Sequence, residues 1–278
     1  MMRFNLSCEL GYDIAADTDF LFNLAVVKNT YQRVSEESLN IEPNLPTQEY
    51  VEPQTLSRYL RLRAHPGKLS LRYHAAVELE HFIADPASIA EIPVADLPME
   101  TLQFLYPSRY CESDLLARVA LREFGSLPPG YCRVAAICDW VRSHVEYVPG
   151  ITNSRTSAYD TATQQVGVCR DFAHLTIAFC RALNIPARYT TAYAFGLDPP
   201  SDFHAIVEAY LGGRWFIFDP NRMAPRTGVV RVGTGRDAAD VAFATIFGPA
   251  TMTQMKVVID LAPGSDTPLH GAEAVANC

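Results

Sequence analysis

The chain has 278 residues, a net charge of −8, and 49% hydrophobic, 19% charged and 10% aromatic residues. That is the composition of a globular protein with a substantial core, long enough for two modest domains or one large one. The acidic balance argues against nucleic-acid binding, which usually needs a basic face, and no apolar segment is long enough to span a bilayer.

The opening stretch MMRFNLSCELGYDIAADTDF lacks a basic start followed by an apolar run, so it does not read as a signal peptide, and a cytoplasmic location is the default expectation. The first hundred residues read as β. Phe4, Leu6, Cys8 and Leu10 alternate with polar residues, the period of a half-buried strand. RYLRLRA and KLSLRYHAAVEL alternate in the same way, and the HPGK between them stops both. A small antiparallel sheet or sandwich is expected. The Pro- and Ala-rich stretch 84–98 marks the division between a β-rich domain, 1–98, and a second domain, 99–278.

Helical periodicity follows. In SDLLARVALREFG, Leu115, Leu116, Val119, Ala120 and Phe124 fall on one side, with Ser113 suited to an N-cap and Gly125 to a C-terminal stop. YCRVAAICDWVRSHVEY repeats the pattern with Val134, Ile137, Cys138, Val141 and Val145. VCRDFAHLTIAFCRALNIP is a third helix, closed by Asn184 and Pro186. Then β returns in ARYTTAYAF, FHAIVEAY and RWFIFD, the last two joined by the glycine turn LGGR. MKVVIDL is expected to be a last strand. The fold class is α+β: an antiparallel β domain, then helices packed on an antiparallel sheet.

Seven cysteines occur, at 8, 111, 132, 138, 169, 180 and 278, with irregular spacing and no CxxC. This is neither a disulfide framework nor a zinc motif, and most of the thiols should be free and buried. Cys169 differs from the others in its context. It follows Gly167 and opens a helix, where free backbone N–H groups and the positive end of the macrodipole favour a thiolate. The same N–H groups can donate to an oxyanion developing on a substrate carbonyl. Cys180 lies in an apolar run of the same helix and reads as core.

A cysteine nucleophile needs an imidazole, and the imidazole needs an orienting group. His204 opens the first hairpin strand and Asp219 ends the second. With the turn near Gly212, facing pairs should have residue numbers summing to about 423 or 424, and 204 and 219 sum to 423. His204 and Asp219 are therefore expected to be cross-strand neighbours. A surface histidine, a strand-end acid and a zinc site of Cys, His and Asp are the competing readings; the zinc set would be unusual and has no second histidine placed to help. His174 lies five positions after Cys169, about 140° around the helix, and so faces elsewhere.

The order Cys, His, Asp in these contexts resembles the transglutaminase-like superfamily, which shares its core with papain-type cysteine proteases. The matching stretches are GVCRDFAHL, IPARY, FHAIVEAYLGGRWFIFDP and GRDAADV, within residues 110–260. Residues 1–83 resemble, more diffusely, the β-rich domain that precedes this core in many bacterial members. The resemblance implies a Cys169–His204–Asp219 triad and acyl transfer from amides through a thioester, with hydrolysis as a peptidase or amidase favoured over transamidation. It also implies an oxyanion donor upstream of the cysteine, for which Tyr147, Tyr159, Gln164 and Gln165 are candidates. The substrate would be a peptide, a protein or a small amide. No cofactor is needed by this chemistry, and no calcium loop of the D-x-D-x-D-G type occurs. Bacterial members usually carry an aromatic after the His–Ala pair and a threonine after the Asp–Pro pair; here those positions are Ile206 and Asn221, both flanking the triad and expected to bear on pocket shape. A non-catalytic binding protein on the same fold is the alternative.

Overall fold

The computed structural model describes every residue except Met1, residues 198–201, Leu269 and Cys278. Six strands come first: β1 (Met2–Ile14), β2 (Thr18–Ala25), β3 (Gln32–Glu42), β4 (Thr47–Val51), β5 (Arg58–Ala64) and β6 (Gly67–Leu79). A short β7 (Phe82–Ala84) and three short 3₁₀ segments lead into the helices α1 (Ser113–Phe124) and α2 (Tyr131–His144). Then come β8 (Glu146–Tyr147), α3 (Ala158–Gln164), β9 (Val166–Gly167) and α4 (Cys169–Ala182). The remaining strands are β10 (Ala187–Ala194), β11 (His204–Leu211), β12 (Arg214–Phe218), β13 (Val229–Gly235), β14 (Ala244–Phe247), β15 (Ala250–Leu261) and β16 (Ala274–Ala276).

The alternation in the first hundred residues becomes a two-sheet sandwich. One sheet runs β15-β1-β6-β3 and the other β14-β2-β5-β4. Phe4, Leu6, Cys8, Leu10, Tyr12 and Ile14 of β1 point inward, as do Leu69, Leu71, Tyr73, Ala75, Val77 and Leu79 of β6. Strands β5 and β6 are consecutive but lie in different sheets. Gly67, at φ +140°, sits where the chain crosses between them.

The second sheet has the order β13-β10-β11-β12-β16-β7. On one face Ala205, Val207, Ala209 and Leu211 of β11 pack with Phe172, Leu175 and Phe179 of α4 in a single apolar cluster. Every residue of α4 from Asp171 to Arg181 is buried. This helix is wrapped by α1, α2, α3 and the sheet rather than lying on a surface. Tyr193, Val230 and Val232 of the second sheet belong to the sandwich core, so the two halves of the molecule share packing.

Two expectations are corrected. Leu115 is 59% exposed, and the buried stripe of α1 is Ser113, Leu116, Ala120 and Phe124. Glu112 takes the N-cap position and Ser113 the first helical one, which rotates the contact face away from Leu115. The strand carrying MKVVIDL pairs with β1 of the sandwich, and β14 pairs with β2; the alternating apolar face of β1 offers β15 a full-length edge. The stretch 84–98 is itself docked: Ile89 is buried, its carbonyl accepts from the Tyr131 N–H, and the Ala90 carbonyl accepts from Gly212.

Candidate active site

Cys169 is the first residue of α4, and Val168 is its N-cap. Valine has no side-chain acceptor, so the cap is built otherwise. Asp171, in the first turn, accepts the Val168 N–H on Oδ2 at 3.0 Å and the Thr152 hydroxyl at 2.7 Å. Its Oδ1 accepts from the Arg170 guanidinium. A fully buried carboxylate thus pins the backbone on both sides of the cysteine. Sequence analysis passed over Asp171, although an acid at the third helical position is a capping signal. Gly167 serves the same cap. A Cβ there would stand 2.8 Å from the Asp171 Cβ, so the glycine admits the capping side chain.

The hairpin of β11 and β12 turns at Gly212 and Gly213, with φ of +54° and +86°. This two-residue turn pairs Leu211 with Arg214 and Val207 with Phe218, so facing residue numbers sum to 425. The expected register is therefore displaced by one to two positions. His204 and Asp219 are diagonal, not opposite, neighbours, and Asp219 stands just past the strand end. They still meet: His204 Nε2 lies 3.1 Å from Asp219 Oδ2, with both side chains almost fully buried. The same Oδ2 accepts the Ala224 N–H at 3.0 Å, and the Asp219 carbonyl accepts from Arg222.

Cys169 lies close enough to the imidazole to act on its protonation. With Nε2 committed to the carboxylate, Nδ1 is the nitrogen left for sulfur. Burial by itself would lower the basicity of His204; the Asp219 charge and hydrogen bond, together with Cys169, more than offset it and hold the imidazolium up to about 10. Cys169 is half-buried, whereas Cys8, Cys111, Cys138 and Cys180 are enclosed. Burial pushes those four thiols up, Cys111 to about 12, which makes them poor nucleophiles.

The four upstream candidates separate. Tyr147 lies in β8, which runs parallel to β9 with Tyr147 facing Gly167. Burial, then the nearby Cys169, Asp202 and Asp171, raise its phenol, so it keeps its proton and can donate. Tyr159 is exposed on α3, with its backbone N–H on Glu112. Gln164 and Gln165 are exposed at the end of α3, and Gln165 adopts φ +57° to turn the chain into β9. Tyr147 is thus the one of the four with a direct electrostatic coupling to Cys169.

His174 does face elsewhere, as its position on the helix implied. It is fully buried, accepts from the Ala238 N–H at 3.2 Å and stacks on Tyr110. Asp237 is buried beside it and accepts from Tyr110 and Ala239. The GRDAADV stretch therefore fastens the flank of α4. Ile206 is wholly buried and packs with Ala192, Ile217, Val229 and Val275. It lies in the interior and does not line a pocket, contrary to expectation.

Residues 119–220 match the model of the transglutaminase-like superfamily core, and residues 2–100 match that of the bacterial transglutaminase N-terminal domain. An uncharacterized Mycobacterium leprae protein is 30% identical over 283 residues, covering 94% of this chain and 99% of its own. The chain belongs to the transglutaminase-like superfamily. A crystal structure from Cytophaga hutchinsonii, of a protein provisionally named a cysteine protease, superposes with a TM-score of 0.94 at 44% identity. The alignment covers 99% of this chain and 97% of that one. The transglutaminase-like fold, with its β-rich N-terminal part, thus extends over the whole described chain. No helix among the described residues is long and apolar enough to cross a membrane.

Proposed function

We propose that this transglutaminase-like protein is an enzyme that transfers acyl groups from amides through Cys169, His204 and Asp219, with water as the favoured acceptor. The observation that carries the reading is the buried His204–Asp219 pair, 3.1 Å apart, with the helix-start Cys169 acting on the same imidazole. The Cys169 thiolate attacks a carboxamide carbon. First-turn N–H groups of α4, which have no intrahelical acceptor, and the Tyr147 phenol donate to the oxyanion in this reading. The C–N bond breaks as the His204 imidazolium gives its proton to the leaving amine. Water then attacks the thioester, His204 takes its proton, and the carboxylate leaves as the thiol reforms. Asp219 holds the imidazole orientation and stabilises its charge without accepting a proton. Hydrolysis is favoured because no feature of the chain marks an amine-acceptor site. Peptides, proteins and small amides are the substrate classes of this chemistry.

A non-catalytic binding protein on the same fold is the alternative reading. Iodoacetamide separates the two readings. Cys132 is exposed and serves as an internal standard for mere accessibility. At pH 6, peptide mapping by mass spectrometry is expected to show Cys169 alkylated well ahead of Cys132, with the enclosed thiols unreacted. Alkylation of Cys169 no faster than that of Cys132 would count against a nucleophile. A labelled peptide library incubated with the protein, with products weighed, then identifies the acyl donor. Products carrying an added amine in place of water would replace hydrolysis by transamidation.

A further inference from the structure

A cavity of about 560 Å³ opens on the side of Asp219 away from the thiol. It is walled by α2, by the loop following β12, and by residues 270–272; neither Cys169 nor His204 lines it. We infer that this cavity binds a small zwitterion, a free dipeptide, with its ammonium on Asp219 Oδ1 and its carboxylate on Arg222 and Arg226.

The inner end carries an unused acceptor. The Asp219 side chain is only 3% exposed, and Oδ2 takes both of its hydrogen bonds, from His204 and Ala224. Oδ1 is buried with no partner among the described residues. An enclosed carboxylate oxygen without a donor is costly, so a ligand that supplies one gains that interaction on binding. The outer end carries positive charge. Arg222 pairs with Asp139, both more than half exposed and therefore at the rim. Arg226 donates to the Tyr131 hydroxyl and to the Gly271 carbonyl. Two guanidiniums face one carboxylate at the rim, so an anion is favoured there in a chain whose net charge is −8. Ala135, Ala136, Phe218 and Ala224 also line the cavity, an apolar wall suited to aliphatic or aromatic side chains. Donor within, apolar middle and anion outside describe a short peptide with free ends. Arg222 itself has φ +53°, a strained backbone conformation.

Occupancy bears on the triad. The charged and titratable groups around Asp219 are His204 from β11, Tyr131, Cys132, Cys138 and Asp139 from α2, Arg222 and Arg226 from the loop after β12, and His270. An ammonium on Oδ1 draws charge from Oδ2 and weakens the support given to the imidazolium. A destabilised imidazolium in turn favours the thiolate of Cys169 less. This coupling rests on the proposed catalytic reading; binding itself does not.

Calorimetric titration with alanyl-leucine, its N-acetyl form and its C-terminal amide tests the site. The free dipeptide is expected to bind, and loss of either end charge to weaken binding at least about tenfold. Arg226→Gln and Ala136→Leu are each expected to abolish binding. Ala136→Leu narrows the cavity from a helix face without removing a hydrogen bond, so it decides the matter if Arg226→Gln melts early. No heat at about 10 mM dipeptide overturns the site, as does affinity unchanged by acetylation, by amidation or by Ala136→Leu. A bound dipeptide is further expected to slow Cys169 alkylation at pH 6 about threefold. Binding with an unchanged alkylation rate overturns the coupling alone. Absence of any enhanced Cys169 alkylation overturns the catalytic reading and leaves the calorimetry to judge the site.

Discussion

The sandwich and the second sheet are both antiparallel β, yet they handle polarity in opposite ways. In β1 and β6 every second residue is buried and the intervening ones meet solvent or half-exposed neighbours. In β10 all eight residues are buried, and in β11 all but Tyr210. The second sheet is covered on both faces and encloses charge: Glu208 is fully buried between Arg188 and Arg231, and His204 and Asp219 lie in the same sheet. Apolar area removed from water stabilises the sandwich. Paired charges in a dry interior stiffen the second sheet, where each lost partner leaves another uncompensated. A fold can thus place stability and chemistry in different layers, and substitutions should separate the two.

The sharpest separation comes from Cys169→Ala. It is expected to abolish amide turnover while shifting unfolding free energy by less than about 1 kcal/mol, because a half-buried thiol at a helix start contributes little packing. Chemical denaturation beside a peptide-cleavage assay measures both. If Cys180→Ala silenced the protein and Cys169→Ala unfolded it, the nucleophile would be the wrong cysteine.

Breaking the charged layer should come next in size. Glu208→Ala strands the guanidiniums of Arg188 and Arg231 in the interior and is expected to cost about 3–5 kcal/mol. A urea midpoint within error of wild type would show that the network is replaceable. Leu71→Ala in the sandwich removes apolar volume instead and should cost about 2–5 kcal/mol. Its kcat on the folded fraction should be unchanged. A fall in kcat at full folding would mean that the sandwich helps shape the site.

The mildest test is Asp219→Asn. The amide keeps a hydrogen bond but loses the charge that supports the imidazolium, so the rate should fall about ten- to a hundredfold, short of the roughly 10⁴ in the serine-protease worked case. A pH signature accompanies it. His204 is held above its ordinary value, to about 10, so its contribution to stability is complete below about pH 6.5 and is lost as pH rises through the folded value. Melting temperature should therefore decline on the alkaline side, and Asp219→Asn should flatten that decline. A variant with wild-type rate and an unaltered alkaline slope would make Asp219 a strand-end acid only.

The elements of the site were legible in the chain because each depends on local pattern. A glycine two residues before a cysteine, then an apolar 3.6-residue period, marks the helix that presents Cys169. A two-glycine turn between alternating runs marks the hairpin that carries His204 and Asp219. The register came out one to two positions off because the turn uses both glycines, and a facing sum of 425 depends on their backbone angles. The His–Asp contact survived the shift because two positions along a strand return to the same face.

What the sequence determined by itself was local: strand and helix periods, turns, caps, and the order of the three reactive side chains. Tertiary structure alone decided which strands share a sheet. It sent β15 to β1 across more than two hundred residues, enclosed Ile206, left Leu115 in solvent and brought Tyr147 beside Cys169. It also placed α2 against the turn after Asp219, creating a cavity behind the carboxylate. These outcomes depend on which apolar faces cover one another and on where a buried oxygen finds a donor. Both are properties of the packed chain, in which residues far apart in sequence compete for the same neighbours, and no short window of sequence contains that competition.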